Sequence, residues 1–180
     1  MTKAEPTIVI GARTALIREG TEGDAAGVLR LLTLAAAETD HLSREPEEVR
    51  MTLDEEAAFL RQRVESAADL FLVAEVEDQI VGSASLDGTT LQRFRHATTL
   101  GIAVLRDFWG IGIGRALMHG LLSWADSRKI VRISLEVVET NVRAIRLYES
   151  LGFEKEGRLR AHRRHGLVYV DSFVMSRIRT

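Results

Sequence analysis

The run Trp109-Gly110-Ile111-Gly112-Ile113-Gly114-Arg115-Ala116-Leu117-Met118 places three alternate glycines at the head of an apolar helical segment. A second run, Asn141-Val142-Arg143-Ala144-Ile145-Arg146-Leu147-Tyr148-Glu149-Ser150-Leu151-Gly152-Phe153, sets a tyrosine seven residues after an asparagine. The first N–H groups of a helix have no intrahelical acceptor, and glycines leave them uncovered. The first run therefore reads as a cradle for an anion such as a pyrophosphate. In the second run, seven residues at about 100° each bring Tyr148 back to within about 20° of Asn141, so both look out from one helix face. Packing supplies a rival reading for each: a tight strand-to-helix turn, and a capping asparagine with a half-buried ring.

Two other glycine motifs fail on register. A Walker loop requires Gly-Lys followed by Ser or Thr, whereas Gly114 is followed by Arg115 and Ala116. A dinucleotide fingerprint needs its third glycine at Arg115 counted from Gly110, or at Leu117 counted from Gly112.

Outward from these runs the pattern alternates between periods. Thr14 to Glu19 reads as a strand, with Asp24 placed to cap a helix through Val28, Leu31, Leu32 and Ala35. Thr52 and Glu55 form a capping box for a second helix through Phe59, Leu60 and Val64. Asp69 to Val76 and Ile80 to Leu86 read as a hairpin turning at Asp78-Gln79, and His96 to Val104 as the strand feeding the glycine run. The helix from about Gly112 buries Ile113, Leu117, Leu121 and Trp124 at helical spacing. Val131 to Val138 is a strand, Asn141 to Leu151 a helix stopped by Gly152, and Phe153 to Arg164 with Leu167 to Ile178 a closing strand pair. The order is β-α-α-β-β-β-α-β-α-β-β, an α+β class with a mixed, largely antiparallel sheet flanked by helices. Residues 1–13 are expected to be a flexible N-terminus and 14–180 a single domain.

Composition bounds the chemistry. A chain of 180 residues with net charge −2 and 46% hydrophobic residues is ordinary for a globular domain and gives no sign of nucleic-acid binding. With no cysteine there can be no disulfide, thiolate metal site or cysteine acyl-enzyme. His41, His96, His119, His162 and His165 lack metal-ligand spacing, so no metal is expected. Ile8-Val9-Ile10 is too short for a signal core, and no apolar run approaches the ~20 residues that span a bilayer. A cytoplasmic location away from membranes is expected.

The second run, with its preceding strand and Gly152-Phe153, resembles the last motif of the GNAT superfamily of N-acetyltransferases. The first run resembles that family's cofactor loop, Gln/Arg-x-x-Gly-x-Gly/Ala. The likeness is specific from about Leu100 to Phe153, and element order extends it along most of the chain. Trp109 departs from the pattern, standing where arginine or glutamine is usual. The resemblance implies acetyl-CoA as cosubstrate. It implies that Ile102 and Val104 meet the pantetheine arm, that Gly110, Gly112, Gly114 and Arg115 hold the pyrophosphate, and that Asn141 caps its helix and touches the cofactor. Arg143 is an alternative to Arg115 as a phosphate contact.

Acetyl transfer to an amine needs a proton acceptor, because amines of pKa about 8–10.4 arrive protonated, and a donor for the departing thiolate. Tyr148, neutral at pH 7, is the donor that the resemblance implies. For the base, Glu38 ranks first, ahead of Asp40, His41, Glu136 and His96 or a chain of waters. The acidic stretch from Glu38 to Glu56 and the basic cluster Arg158, Arg160, His162, Arg163, Arg164 and His165 read as solvated surfaces, the latter guarding a sheet edge. The expected function is acetylation of a small amine or amino acid by direct attack in a ternary complex. A protein N-terminal acetyltransferase and a non-catalytic acyl-CoA sensor are the rival classes. The expected partners are the small-molecule substrate and, as an assembly, a homodimer.

Overall fold

The computed structural model describes residues 7–10 and 13–179, with side chains from Thr14 onward. Its strands are β1 (Thr7–Ile10), β2 (Arg13–Glu19), β3 (Leu70–Val76), β4 (Gln79–Asp87), β5 (Ala97–Val104), β6 (Arg132–Val138), β7 (Glu154–His165) and β8 (Val168–Ile178). Its α-helices are α1 (Ala25–Glu38), α2 (Leu53–Glu65), α3 (Ile113–Ser127) and α4 (Val142–Glu149). The strands form one sheet in the order β1-β2-β3-β4-β5-β6-β8-β7, antiparallel throughout except for β5 beside β6.

The α+β class and the element order agree with the sequence pattern, with one strand more. β1 lies within the segment expected to be flexible and pairs with β2 from Thr7 opposite Leu16 to Ile10 opposite Arg13. Residues 1–6, also expected to be flexible, lie outside the described residues.

Helices cover both faces of the sheet. On one face Gly27 of α1 sits against Ile80, and Phe59 of α2 meets Phe71 of β3 edge-on at 6.2 Å. On the other face Gly120 of α3 lies against Leu72, and Leu117 of α3 lies over Gly82. The buried stripe of α3 is Ile113, Leu117, Met118, Leu121, Leu122 and Ala125, the helical spacing seen in the sequence. Trp124 is only half-buried, its ring packed under the Arg128 guanidinium at 4.0 Å.

Local chemistry sets the ends. Thr52 and Glu55 form the expected capping box, with the Thr52 N–H donating to Glu55 at 2.8 Å and the Glu55 N–H donating to the Thr52 hydroxyl at 3.3 Å. Asp24 does not cap α1 as expected, because its carboxylate is taken by Arg18 at 2.7 Å and by the Thr21 N–H at 2.8 Å. The hairpin between β3 and β4 turns at Glu77 and Asp78, one residue earlier than expected, and both have positive φ, 49° and 62°. Such a turn matches the twist of its strands, and aspartate tolerates the left-handed region.

Candidate functional site

β5 and β6 pair only from Ala97 opposite Arg132 to Thr99 opposite Ser134. Beyond these residues the two parallel strands splay, while β4 stays paired to β5 through Val104 and β8 to β6 through Val138. Two backbone edges therefore face each other across a gap. The Leu105 N–H donates to the Val81 carbonyl at 3.0 Å, so alternation turns Ala103 and Gly101 toward β4 and leaves Ile102 and Val104 facing the gap. By the same alternation the Glu139 N–H, bonded to the Asp171 carbonyl, leaves the backbone of Glu136 and Val138 on the gap side. Such edges accept an extended, amide-bearing ligand as a further strand would be accepted.

The gap opens into a cleft of about 930 Å³, lined by Ile102, Val104, Gly110, Gly112, Gly114, Arg115, Asn141 and Tyr148 among others. Every residue expected to hold cofactor is therefore in one cavity with the expected proton donor. At its mouth Gly110 and Gly112 have φ of +76° and +100°, a region hostile to other residues, and a Cβ at either would meet nothing within 4 Å. The first intrahelical bond of α3 is Ala116 N–H to Gly112 carbonyl, which leaves the N–H groups of Ile113, Gly114 and Arg115 outside the helix ladder. Gly114 is an ordinary helical residue whose added Cβ would touch only Leu147 Cδ2 at 3.6 Å. Space inside the protein does not require glycine there.

Trp109 has a definite task. Its indole N–H donates to the Val104 carbonyl at 2.6 Å and its ring stacks on the Arg143 guanidinium at 3.5 Å. It ties the loop to β5 while leaving the Val104 N–H free toward the gap, and it braces a cation at the mouth. Arg115 reaches Ser150 Oγ at 3.2 Å, and Arg146 joins Arg115 and Arg143 in the lining. Three guanidinium groups therefore share one cleft with the positive end of α3, and each favours an anion there.

α4 carries the other half. Asn141 caps it, accepting the Ala144 N–H at 3.2 Å. Tyr148 is 6% exposed, packed against Phe153 at 5.9 Å, and burial pushes its phenol up to about 12. Among the described residues its hydroxyl has no hydrogen-bond partner, although it lines the cleft. It is a neutral O–H donor over the whole physiological range.

The candidate bases separate. Glu38 ends α1 with its carboxylate accepting the Arg106 N–H at 2.7 Å, and it borders a shallower recess with Asp40 and Arg106 instead of lining the main cleft. The sequence ranked it first, but here it is a tether for the turn that leads into the glycine loop. Asp40 is engaged with His165 at 3.2 Å. His96 lies just before β5, at the end away from the loop, and is exposed. His41 and Glu136 do line the cleft. Burial lowers the His41 imidazole below its usual 6.5; the Arg143 and Arg163 charges add to this, and Asp40 opposes it.

Arg163 is the lining residue that sequence reasoning assigned elsewhere. β7 does form the expected sheet edge, but its register against β8 shifts between Leu159 and Arg163, with Ala161 at φ +50° and its N–H held by Asp171 Oδ1 at 2.7 Å. That bulge sends Arg163 toward the cleft, where it donates to the His41 carbonyl at 3.0 Å. Among the described residues no group of three His, Asp or Glu side chains could hold a metal, and no helix is long and apolar enough to cross a membrane.

Known proteins share this fold and part of this sequence. The sequence profile of the Acetyltransferase (GNAT) family matches residues 35–153. The L-amino acid N-acetyltransferase AaaT of Escherichia coli (strain K12) is 31% identical over 109 residues, 60% of this chain and 67% of that protein. An acetyltransferase of the GNAT family from Streptococcus pneumoniae superposes with a TM-score of 0.88 at 28% identity, over 92% of this chain and 99% of that one. A ribosomal-protein-alanine N-acetyltransferase from Brucella melitensis does so at 0.80 and 30% identity, over 91% and 99%.

Proposed function

The chain belongs to the acetyltransferase (GNAT) family, and on that premise we propose that it acetylates the primary amine of a small molecule or amino acid by direct attack, with donor and acceptor in the cleft together. Its class is acetyl-CoA-dependent N-acetyltransferase. The observation that carries the finer reading is the splayed pair β5 and β6, with free N–H groups at its mouth and a partnerless Tyr148 hydroxyl on its wall.

The residues fit acetyl-CoA on three counts: paired strand edges for the amides of the pantetheine arm, uncovered helix N–H groups for the pyrophosphate, and arginines for the remaining phosphate charge. When bound, the cosubstrate supplies an activated acetyl thioester. Ile102 and Val104 hold the arm between the strands, and the Val104 N–H polarises the thioester carbonyl. Gly110 to Arg115 hold the phosphates, and Asn141 fixes the start of α4. His41, neutral at pH 7, takes the proton of the incoming ammonium, directly or through one water. The amine nitrogen then bonds the acetyl carbon as the carbon–sulfur bond breaks, and Tyr148 gives its proton to the leaving sulfur. The tyrosine recovers that proton from the new amide nitrogen through solvent, leaving amide and free thiol.

The similarity to a ribosomal-protein-alanine acetyltransferase supports a second reading, an acceptor that is a protein N-terminus. A purely acyl-CoA-binding role has no use for a proton donor at Tyr148. The working location is the cytoplasm, in keeping with a chain without cysteine. A homodimer is the assembly to look for by sedimentation.

Thiol release from acetyl-CoA, measured against amines, amino acids and peptides, tests the proposal, with a low background because the protein has no thiol of its own. Acceptor-dependent release is the expected result. Release with peptides alone would favour the second reading, and release with none of them would refute the first.

A further inference from the structure

Arg163 stands apart from the rest of the basic cluster by being both unpaired and sheltered. Arg158 pairs with Glu139 and Asp171, His162 faces Glu136 at 3.6 Å, and His165 meets Asp40 at 3.2 Å, while Arg160 and Arg164 have no ion pair among the described residues but are exposed to solvent. Among the described residues, Arg163 has no carboxylate within ion-pair distance; its one bond is to the His41 carbonyl at 3.0 Å. It is half-buried, and a bulge anchored by Asp171 turns it into the cleft. A guanidinium has five N–H donors, so four remain after this bond. A partly desolvated cation without a counter-ion is unfavourable until an anion arrives.

The uncovered N–H groups at the α3 N-terminus and Arg115 are assigned to the cofactor's phosphates. Arg163 lies beside His41, whose imidazole feels both its charge and that of Arg143, where Thr39, Leu42 and Ser43 follow α1 into the lining. We propose that Arg163 binds the carboxylate of the acceptor, which makes that acceptor a free α-amino acid. Ammonium and carboxylate leave the same carbon in such a molecule. A carboxylate held by Arg163 therefore keeps the amine close to His41, and the acceptor's side chain is left to the apolar lining of Leu32, Leu42 and Phe71. A simple amine lacks the anion, and a peptide N-terminus has an amide in its place.

This deepens the acetyltransferase reading and rests on it, so the test separates the two. Acetyl-CoA binding by calorimetry checks the shared premise. Binding of L-leucine, L-phenylalanine and their C-terminal amides to the complex with CoA, followed by acetylation kinetics of the same four probes, checks Arg163. The acids should bind and react, with kcat/KM about 10- to 100-fold above their amides, the worth of a charge-assisted contact. Arg163→Gln keeps a donor for the His41 carbonyl but removes the charge; assayed well above the acid limb, where the shift at His41 has no effect on rate, it should raise KM for the acids by a similar factor while the amides and acetyl-CoA affinity stay within about twofold. Arg163→Lys should restore part of the preference. The proposal is overturned if amides match acids in the wild type, if acetyl-CoA binds but neither acid does, or if Arg163→Gln weakens acids and amides alike.

Discussion

Tyr148 combines two properties that rarely coincide, deep burial and a hydroxyl without a partner in the protein. Burial keeps it neutral, since its phenol titrates near 12, and the cleft wall gives the hydroxyl somewhere to point. Tyr148→Phe should lower kcat by about 10²- to 10⁴-fold and change acetyl-CoA affinity little, by steady-state kinetics and calorimetry. The same residue has a signature in stability. Below pH 10 the folded and unfolded chains both keep the proton. Between 10 and 12 only the unfolded chain releases it, so stability falls by about 2–3 kcal/mol and then levels off above 12. Alkaline denaturant titrations should show that fall in the wild type and a shallower one in Tyr148→Phe. His41 gives a separate pH test. Arg143, Arg163 and Asp40 all act on it, with burial the largest influence and downward. The acid limb of kcat/KM should lie below pH 6.5, move upward in Arg163→Gln as a neighbouring positive charge is lost, and vanish in His41→Gln. A limb that ignores both substitutions would assign the base elsewhere, with Glu136 next.

At the scale of elements, the start of α3 and the bulge in β7 do the positioning. Gly114 separates folding from binding, because an alanine there meets only Leu147 at 3.6 Å. Gly114→Ala should leave the melting temperature unchanged or slightly higher, since alanine favours helix, while weakening acetyl-CoA by about 10- to 100-fold. Equal affinity with intact fold would show that the loop does not cradle phosphate. The sequence displayed this element almost completely, because alternating glycines ahead of an apolar helix form a local pattern. It did not display the bulge. Ala161 at φ +50° has no marked propensity for that conformation, and the carboxylate that holds its N–H comes from Asp171 on another strand. Arg163 consequently looked like one more edge arginine. The partner of Glu38 was hidden for a related reason, since the Arg106 amide that its carboxylate accepts is 68 residues away.

Over the whole molecule, the cleft exists because one strand pair is unfinished. β5 and β6 share three paired positions and then part, held open by β4 on one side and β8 on the other. Acetyl-CoA should close that seam, so hydrogen exchange ought to slow at Ile102, Val104 and Gly110 to Arg115 on binding, with β1 and β2 unaffected. Protection spread evenly over the sheet would instead indicate general stabilisation. The amino-acid sequence by itself determined what depends on near neighbours along the chain: the helices, the strands from β2 onward, the capping box at Thr52, the glycine loop, and Asn141 and Tyr148 on one helix face. It also excluded cysteine chemistry outright. Tertiary structure alone decided where β5 and β6 separate, which carboxylate is spent on a backbone amide, and which arginine enters the cleft. Those outcomes rest on hydrogen bonds between residues far apart in sequence, whose partners are chosen only when the sheet and its bulges bring them together.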